Sequence, residues 1–190
     1  MAFILTRYRW QYERGNFNIA KPLATLALNL FQKQGNQNTV ERYHQLSLIH
    51  DVLGCIANGT NQPISSMTHN KEFLALRTAI SEQRGEPDEL LAYAHNQYGC
   101  SMMASGRYDE GRELFSKALQ IWHQLPLYQP GDDKALSKPR YKPGDASMEY
   151  ANLGLAHWLL CEVDEASDIL EKGLNERIKG FGKDDHESFR

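Results

Sequence analysis

The sequence predicts an all-α fold, a stack of helix pairs along one axis. Three observations predict it. A ring-x-x-large-Gly segment recurs on one helical face, a small residue follows each glycine twelve places later, and one turn pattern separates the paired segments.

The recurring segments are His50-Asp-Val-Leu53-Gly54, His95-Asn-Gln-Tyr98-Gly99 and Tyr150-Ala-Asn-Leu153-Gly154. The small residues are Ser66, Gly111 and Ala166. Antiparallel helices approach closely only where facing positions lack bulk, so each glycine is expected to meet the small residue of the following helix. The turns also align. Ser105-Gly106-Arg-Tyr108-Asp-Glu matches Leu160-Cys161-Glu-Val163-Asp-Glu, with Asn58-Gly-Thr-Asn61-Gln-Pro63 in the same place. Gly106 and Asn61 suit the left-handed conformation that ends a helix, whereas Cys161 is a poorer choice. Pro63 suits the first turn of the next helix.

In chain order, helices are expected near residues 2–14, 17–34, 39–58, 62–83, 88–104, 108–124, 146–160 and 164–179. The break from His123 to Ala146 contains four prolines and two Pro-Gly pairs, which stop a helix. Its tyrosines and leucines fit an ordered flap, and its charges fit a loose surface insertion.

These residues resemble the tetratricopeptide repeat (TPR), whose signature runs ring-x-x-Leu-Gly-x-x-Tyr and then Ala-x-x-x-Phe. The third unit fits best, with Gly111-Arg-Glu-Leu-Phe115-Ser-Lys-Ala118, followed by the fourth, with Ala166-Ser-Asp-Ile-Leu170-Glu-Lys-Gly173. The second has Asn70 in place of an aromatic, and the first departs from the signature with Tyr8 in the glycine place. Equivalent turn positions 15, 61, 106 and 161 lie 46, 45 and 55 residues apart, longer than the usual period of about 34. That length is similar to the long repeats of kinesin light chains and of many fungal multi-repeat proteins.

The resemblance implies a right-handed superhelical α-solenoid of about four helix pairs forming one repeat domain over 1–190. Its units are 1–36, 39–84, 86–125 and 145–190, with an insertion at 124–145. The tail from Glu176 resembles the linker opening a further unit, which implies a place in a larger multidomain chain.

Composition narrows the function. Hydrophobic content is 41%, charged content 24% and net charge −3 over 190 residues. This is an ordinary globular balance with no footprint for nucleic acid or anionic membrane. The first 42 residues carry +4, read as a solvated helix face. The run before Arg7 is too short for a signal peptide, and a run long enough to span a membrane is missing. Cys55, Cys100 and Cys161 are too scattered for a disulfide framework, so a cytoplasmic, reducing location is expected.

The residues do not form a catalytic or metal-binding pattern. His50 and His95 occupy the repeat's packing-ring position, and no histidine pair has His-x-x-x-His spacing. Acidic pairs such as Asp109-Glu110 and Asp164-Glu165 start helices, where they suit the dipole. The expectation is therefore no enzyme, no cofactor and no metal.

The resemblance does imply a binding face, because the first helix of each pair lines the concave side. The third unit would present Tyr93, Asn96, Gln97, Cys100 and Met103, and the fourth Met148, Asn152, Leu155 and Trp158. Long repeats of this type place Asn before the Leu-Gly pair to hold a peptide backbone. Asn152 matches, Gln97 nearly does, and Val52 does not. A carboxylate clamp is not implied, since of its places at Leu5, Arg9, Leu48 and Val52 only Arg9 is charged. The expected function is an interaction module or scaffold holding a peptide or partner domain. The alternative is a small-molecule binder or enzyme closed by the 123–146 flap, suggested by Trp122, Tyr128, Tyr141 and Trp158.

Overall fold

The structure is a computed structural model, and it describes residues 7, 9, 11–33, 39–126 and 144–183. Among these, seven helices are defined and no strand occurs. They are α1 (Phe17–Lys33), α2 (Val40–Gly59), α3 (Pro63–Arg84), α4 (Glu89–Ala104), α5 (Tyr108–Gln124), α6 (Ser147–Leu159) and α7 (Val163–Phe181). Helical residues 11–13 precede α1.

The ends of these helices follow from local chemistry. Thr39 accepts a hydrogen bond from the Arg42 amide at 3.2 Å, and Asp88 accepts one from the Leu91 amide at 2.9 Å. Each satisfies an amide that the helix cannot pair internally. Pro63 opens α3, where its missing N–H costs nothing.

One turn recurs four times. Gly15, Asn61, Gly106 and Cys161 all have positive φ, between 52° and 74°. In each case the next residue donates its amide to the carbonyl five places back: Asn16 to Gln11, Gln62 to Ala57, Arg107 to Met102 and Glu162 to His157, at 2.8–3.0 Å. This paired-carbonyl ending reverses the chain in the same way each time. Cys161 takes the conformation despite its side chain, so the turn is imposed by the packing of α6 on α7 rather than by residue preference.

The chain divides into two compact units, Met1–Glu86 and Pro87–Arg190. In the first, α2 packs on α3 and on α1. Its core joins Ala20, Ala24, Ala27 and Phe31 of α1 to Ile49, Val52, Leu53 and Ile56 of α2. In the second, α4 pairs with α5 and α6 with α7, while α6 also lies on α5. Its core contains Phe115, Leu119, Leu125, Ala146, Leu153 and Ala156. One pair laid on the next is the packing of an α-solenoid.

The glycine contacts differ in detail from the expected pairing. A Cβ built on Gly99 would fall 2.6 Å from the Phe115 ring, and one on Gly154 would fall 2.6 Å from Leu170. One on Gly54 would overlap Asn70 Oδ1. The residue sixteen places after each glycine therefore roofs it. The small residue twelve places on lies beside that contact, with the Ala166 carbonyl 3.5 Å from the Gly154 position. Asn70 keeps the roof position although polar, because it is fully buried and donates to Ser66 Oγ at 3.3 Å.

Candidate functional site

Among the described residues, helix α6 is covered on one side only. Glu149, Leu153, Gly154 and Ala156 are buried against α4, α5 and α7. At about 100° per residue, Met148, Ala151, Leu155, Trp158 and Leu159 share the opposite arc. Their exposure is 56% for Met148, 49% for Leu155, 59% for Trp158 and 41% for Leu159, with Ala151 exposed as well. A contiguous apolar strip of this kind is unusual on a surface unless something covers it.

Of the residues singled out from sequence, Met148, Leu155 and Trp158 therefore lie on an open face. Asn152 stands at its edge, half-buried, and donates Nδ2 to Asn96 Oδ1 at 2.9 Å and to Cys100 Sγ at 3.6 Å. Asn96 does not line a groove: its side chain is 0% exposed, closed over by α6. Met103 also points away from any groove, its sulfur 2.8 Å from where a Gly111 Cβ would stand, so it fills the contact between α4 and α5. Tyr93 and Gln97 remain half-buried on α4. Leu159 and Ala151 escaped the sequence reading, although the spacing of four from Leu155 to Leu159 was available to find them.

A buried polar knot lies beneath the edge. Glu149 is 3% exposed, and burial holds its carboxyl above the usual range while the Trp122 indole beside it acts in the opposite direction. Burial, and then the neighbouring Glu149, push the Cys100 thiol up to about 11. Cys100 is thus a protonated packing residue at neutral pH, not a nucleophile. Among the described residues Glu149 Oε2 and Asn96 Nδ2 meet no hydrogen-bond partner, so the knot specifies how α6 seats at some cost in stability.

At the other end of α6, ion pairs tie the turn to α5. Arg112 Nη1 holds both oxygens of Glu162 at 2.7 and 2.9 Å, Arg112 Nη2 holds Asp109 at 3.0 Å, and His157 Nδ1 meets Glu162 at 2.6 Å. The Arg112 guanidinium, and then His157, hold the Glu162 carboxyl below its usual range. In the first unit the structure also brings together His50 and His69, Nδ1 to Nδ1 at 3.2 Å. Among the described residues no group of three or more His, Cys, Asp or Glu is placed to hold a metal ion. Residues 127–143, most of the expected flap with Tyr128 and Tyr141, lie outside the described residues. Its described ends at Leu125 and Ala146 are buried in the core of the second unit.

Repeated turns, roofed glycines and pair-on-pair packing define a tetratricopeptide-type α-solenoid. No protein-family model matches the chain, and no curated protein matches it in sequence. Solved structures do. The crystal structure of BtubC (BKLC) from P. vanneervenii is 16% identical with a TM-score of 0.52, covering 92% of this chain and 78% of that one. The crystal structure of MamA is 17% identical with a TM-score of 0.50, covering 97% of each. A kinesin-light-chain-type protein of Podosopora anserina with nearly identical TPR-like repeats is 13% identical with a TM-score of 0.45, covering 94% and 95%. At these identities the first two establish the likeness of fold, and function has to be argued from the site. No helix among the described residues is long and apolar enough to cross a membrane.

Proposed function

We propose that this chain is a non-enzymatic interaction module whose α6 face binds an amphipathic helix of a partner protein. The supporting observation is the strip Met148, Leu155, Trp158 and Leu159, each more than two-fifths exposed on one arc of a helix whose opposite arc is buried. Residues 148–159 rise about 17 Å, some three helical turns. That length matches a partner helix presenting anchors at i, i+4 and i+7. Trp158 is the natural centre of the contact, because a large rigid aromatic adds area at little entropic cost and dominates interfaces when desolvated. Asn152 supplies a polar edge, with its carbonyl oxygen available to a partner donor while Nδ2 stays on Asn96. The fold is one that generally serves protein interactions, and a cytoplasmic location fits this role.

The test is quantitative capture of partners from lysate by the intact chain, Trp158→Ala, Leu155→Asp and Lys172→Ala, with captured proteins quantified by mass spectrometry. Partners specific to the intact chain should fall at least about tenfold with either α6 variant and persist with Lys172→Ala. A partner retained by both α6 variants, with melting temperatures unchanged, would exclude this face.

A further inference from the structure

The second repeat holds two histidines where its sister units hold one ring and one aliphatic side chain. His50 stands four residues before Gly54 on α2, and His69 stands fifteen residues after it on α3. The same two places hold His95 and Leu114 in the third unit, and Tyr150 and Ile169 in the fourth. A ring against an aliphatic group is ordinary apolar packing between paired helices. An imidazole in the aliphatic place is not accounted for by packing, because it brings a second polar ring into a half-buried contact.

The geometry of the pair suits one ion. The two Nδ1 atoms face each other at 3.2 Å, with ring centroids 5.3 Å apart and planes tilted by 54°. Two imidazole nitrogens, each about 2.05 Å from a shared metal ion, stand about 2.9 Å apart at a right angle and about 3.3 Å apart at the tetrahedral angle. The observed separation falls between these values. Burial, and then the neighbouring His69, pulls the His50 imidazole down to about 4, and burial also lowers His69. Both rings are thus mainly uncharged at neutral pH, the form that ligates a metal. Two charges act on His69 from outside the pair. Lys21 of α1, whose Nζ donates to Gln62 Oε1 at 2.8 Å, disfavours a cation, and the exposed Glu72, one turn along α3, favours one.

We propose that His50 and His69 together chelate one late first-row divalent ion, of the Zn²⁺ and Cu²⁺ class, which clips α2 to α3. Imidazole nitrogens select these ions over Mg²⁺ and Ca²⁺, which take oxygen ligands. Each ring ligates through Nδ1 and carries its proton on Nε2, so the ring that donates in the metal-free pair moves its proton to Nε2. Water fills the remaining coordination positions, since among the described residues no third His, Cys, Asp or Glu joins the pair. No short sequence motif announces the site, because its two ligands lie nineteen residues apart on different helices.

The test titrates the full chain, carrying no affinity tag, with Cu²⁺ and with Zn²⁺ in a calorimeter, beside His50→Ala and His69→Leu. His69→Leu installs the residue of the third unit, so it keeps the fold, which thermal melts confirm. His123→Gln removes an exposed histidine of the other unit and serves as the control. The intact chain and the control should bind one equivalent, Cu²⁺ more tightly than Zn²⁺, while Mg²⁺ gives no heat. Electron paramagnetic resonance of the Cu²⁺ form should report two nitrogen ligands, and saturating Zn²⁺ should raise the melting temperature. Either site variant should weaken binding at least about tenfold. If His50→Ala fails to fold, His69→Leu decides alone. No saturable binding below about 1 mM, undiminished binding by His69→Leu, or a single-nitrogen signature would overturn the proposal. Loss of binding in His123→Gln would overturn it too, since the ion would then sit elsewhere.

Discussion

Replacing Gly99 by alanine sets two backbone-scale effects against each other within one residue. In mid-helix, alanine is favoured over glycine by about 1 kcal/mol. At Gly99, however, the new methyl would stand 2.6, 2.9 and 3.0 Å from three atoms of the Phe115 ring. That ring is 1% exposed and belongs to the core of the second unit, so it cannot swing into solvent. Forcing a methyl into such a contact costs about 1–3 kcal/mol, so the net change should be a loss of up to about 2 kcal/mol. Gly59 provides the internal control. A Cβ there meets nothing nearer than 3.9 Å, and alanine should be neutral or stabilising by up to about 1 kcal/mol. For a chain of this length each kcal/mol moves the melting temperature by about 2–4 °C, so the two variants should separate in a differential scanning experiment. A Gly99→Ala protein as stable as Gly59→Ala would refute the reasoning that the repeat glycines exist to admit the roofing side chain.

Other consequences follow from the same contacts. Asn152→Ala should destabilise the second unit by about 1–3 kcal/mol in urea unfolding, because it strips the partner from a fully buried Asn96. The sequence places Asn152 on the binding face or leaves it simply solvated, and the structure adds a bond to Asn96. Cys161→Gly should stabilise by about 1 kcal/mol in the same assay, since a φ of 63° strains any residue with a Cβ. Burial raises the Asp51 carboxyl from the ordinary 3.8 to about 6, against weaker opposing effects of Cys55 and Arg9. Its proton therefore adds stability that is fully present below about pH 4 and is lost as pH rises through about 6. Asp51→Asn should accordingly gain stability over the intact chain near neutral pH and lose that advantage in acid. Urea midpoints at the two extremes decide it, and an equal difference at both would refute the assignment.

The helices were legible in the sequence because their ends are written in local chemistry. Asn61-Gln-Pro63, Gly106 and the acidic pairs at helix starts act over a few residues and need no tertiary information. Cys161 shows the limit of that reasoning, since its residue type argues against the turn it makes. The repeat resemblance also says which face of the first helix of each pair looks outward, and this is why Leu155 and Trp158 were singled out. What covers a face was not. Asn96 and Asn152 both read as groove-lining by repeat position, yet they bond across a gap of fifty-six residues that includes the insertion. The roofing of Gly99 by Phe115, four residues beyond the expected small partner, likewise depends on how two helices slide along each other. The buried Glu149 left no signal at all, because a carboxylate near a helix start reads as a dipole partner.

The central claim, that the open arc of α6 is where a partner helix binds, is tested most directly by site-specific photo-crosslinking. A photoreactive side chain is placed at Leu155 in one variant and at Lys172, on the exposed opposite side of α7, in another. Both are irradiated in lysate, and crosslinked peptides are mapped by mass spectrometry. The account predicts a discrete adduct from position 155, mapping to an apolar face of a helix in another protein, and none from position 172. Equal labelling from both positions, or a discrete adduct from 172 alone, would contradict it.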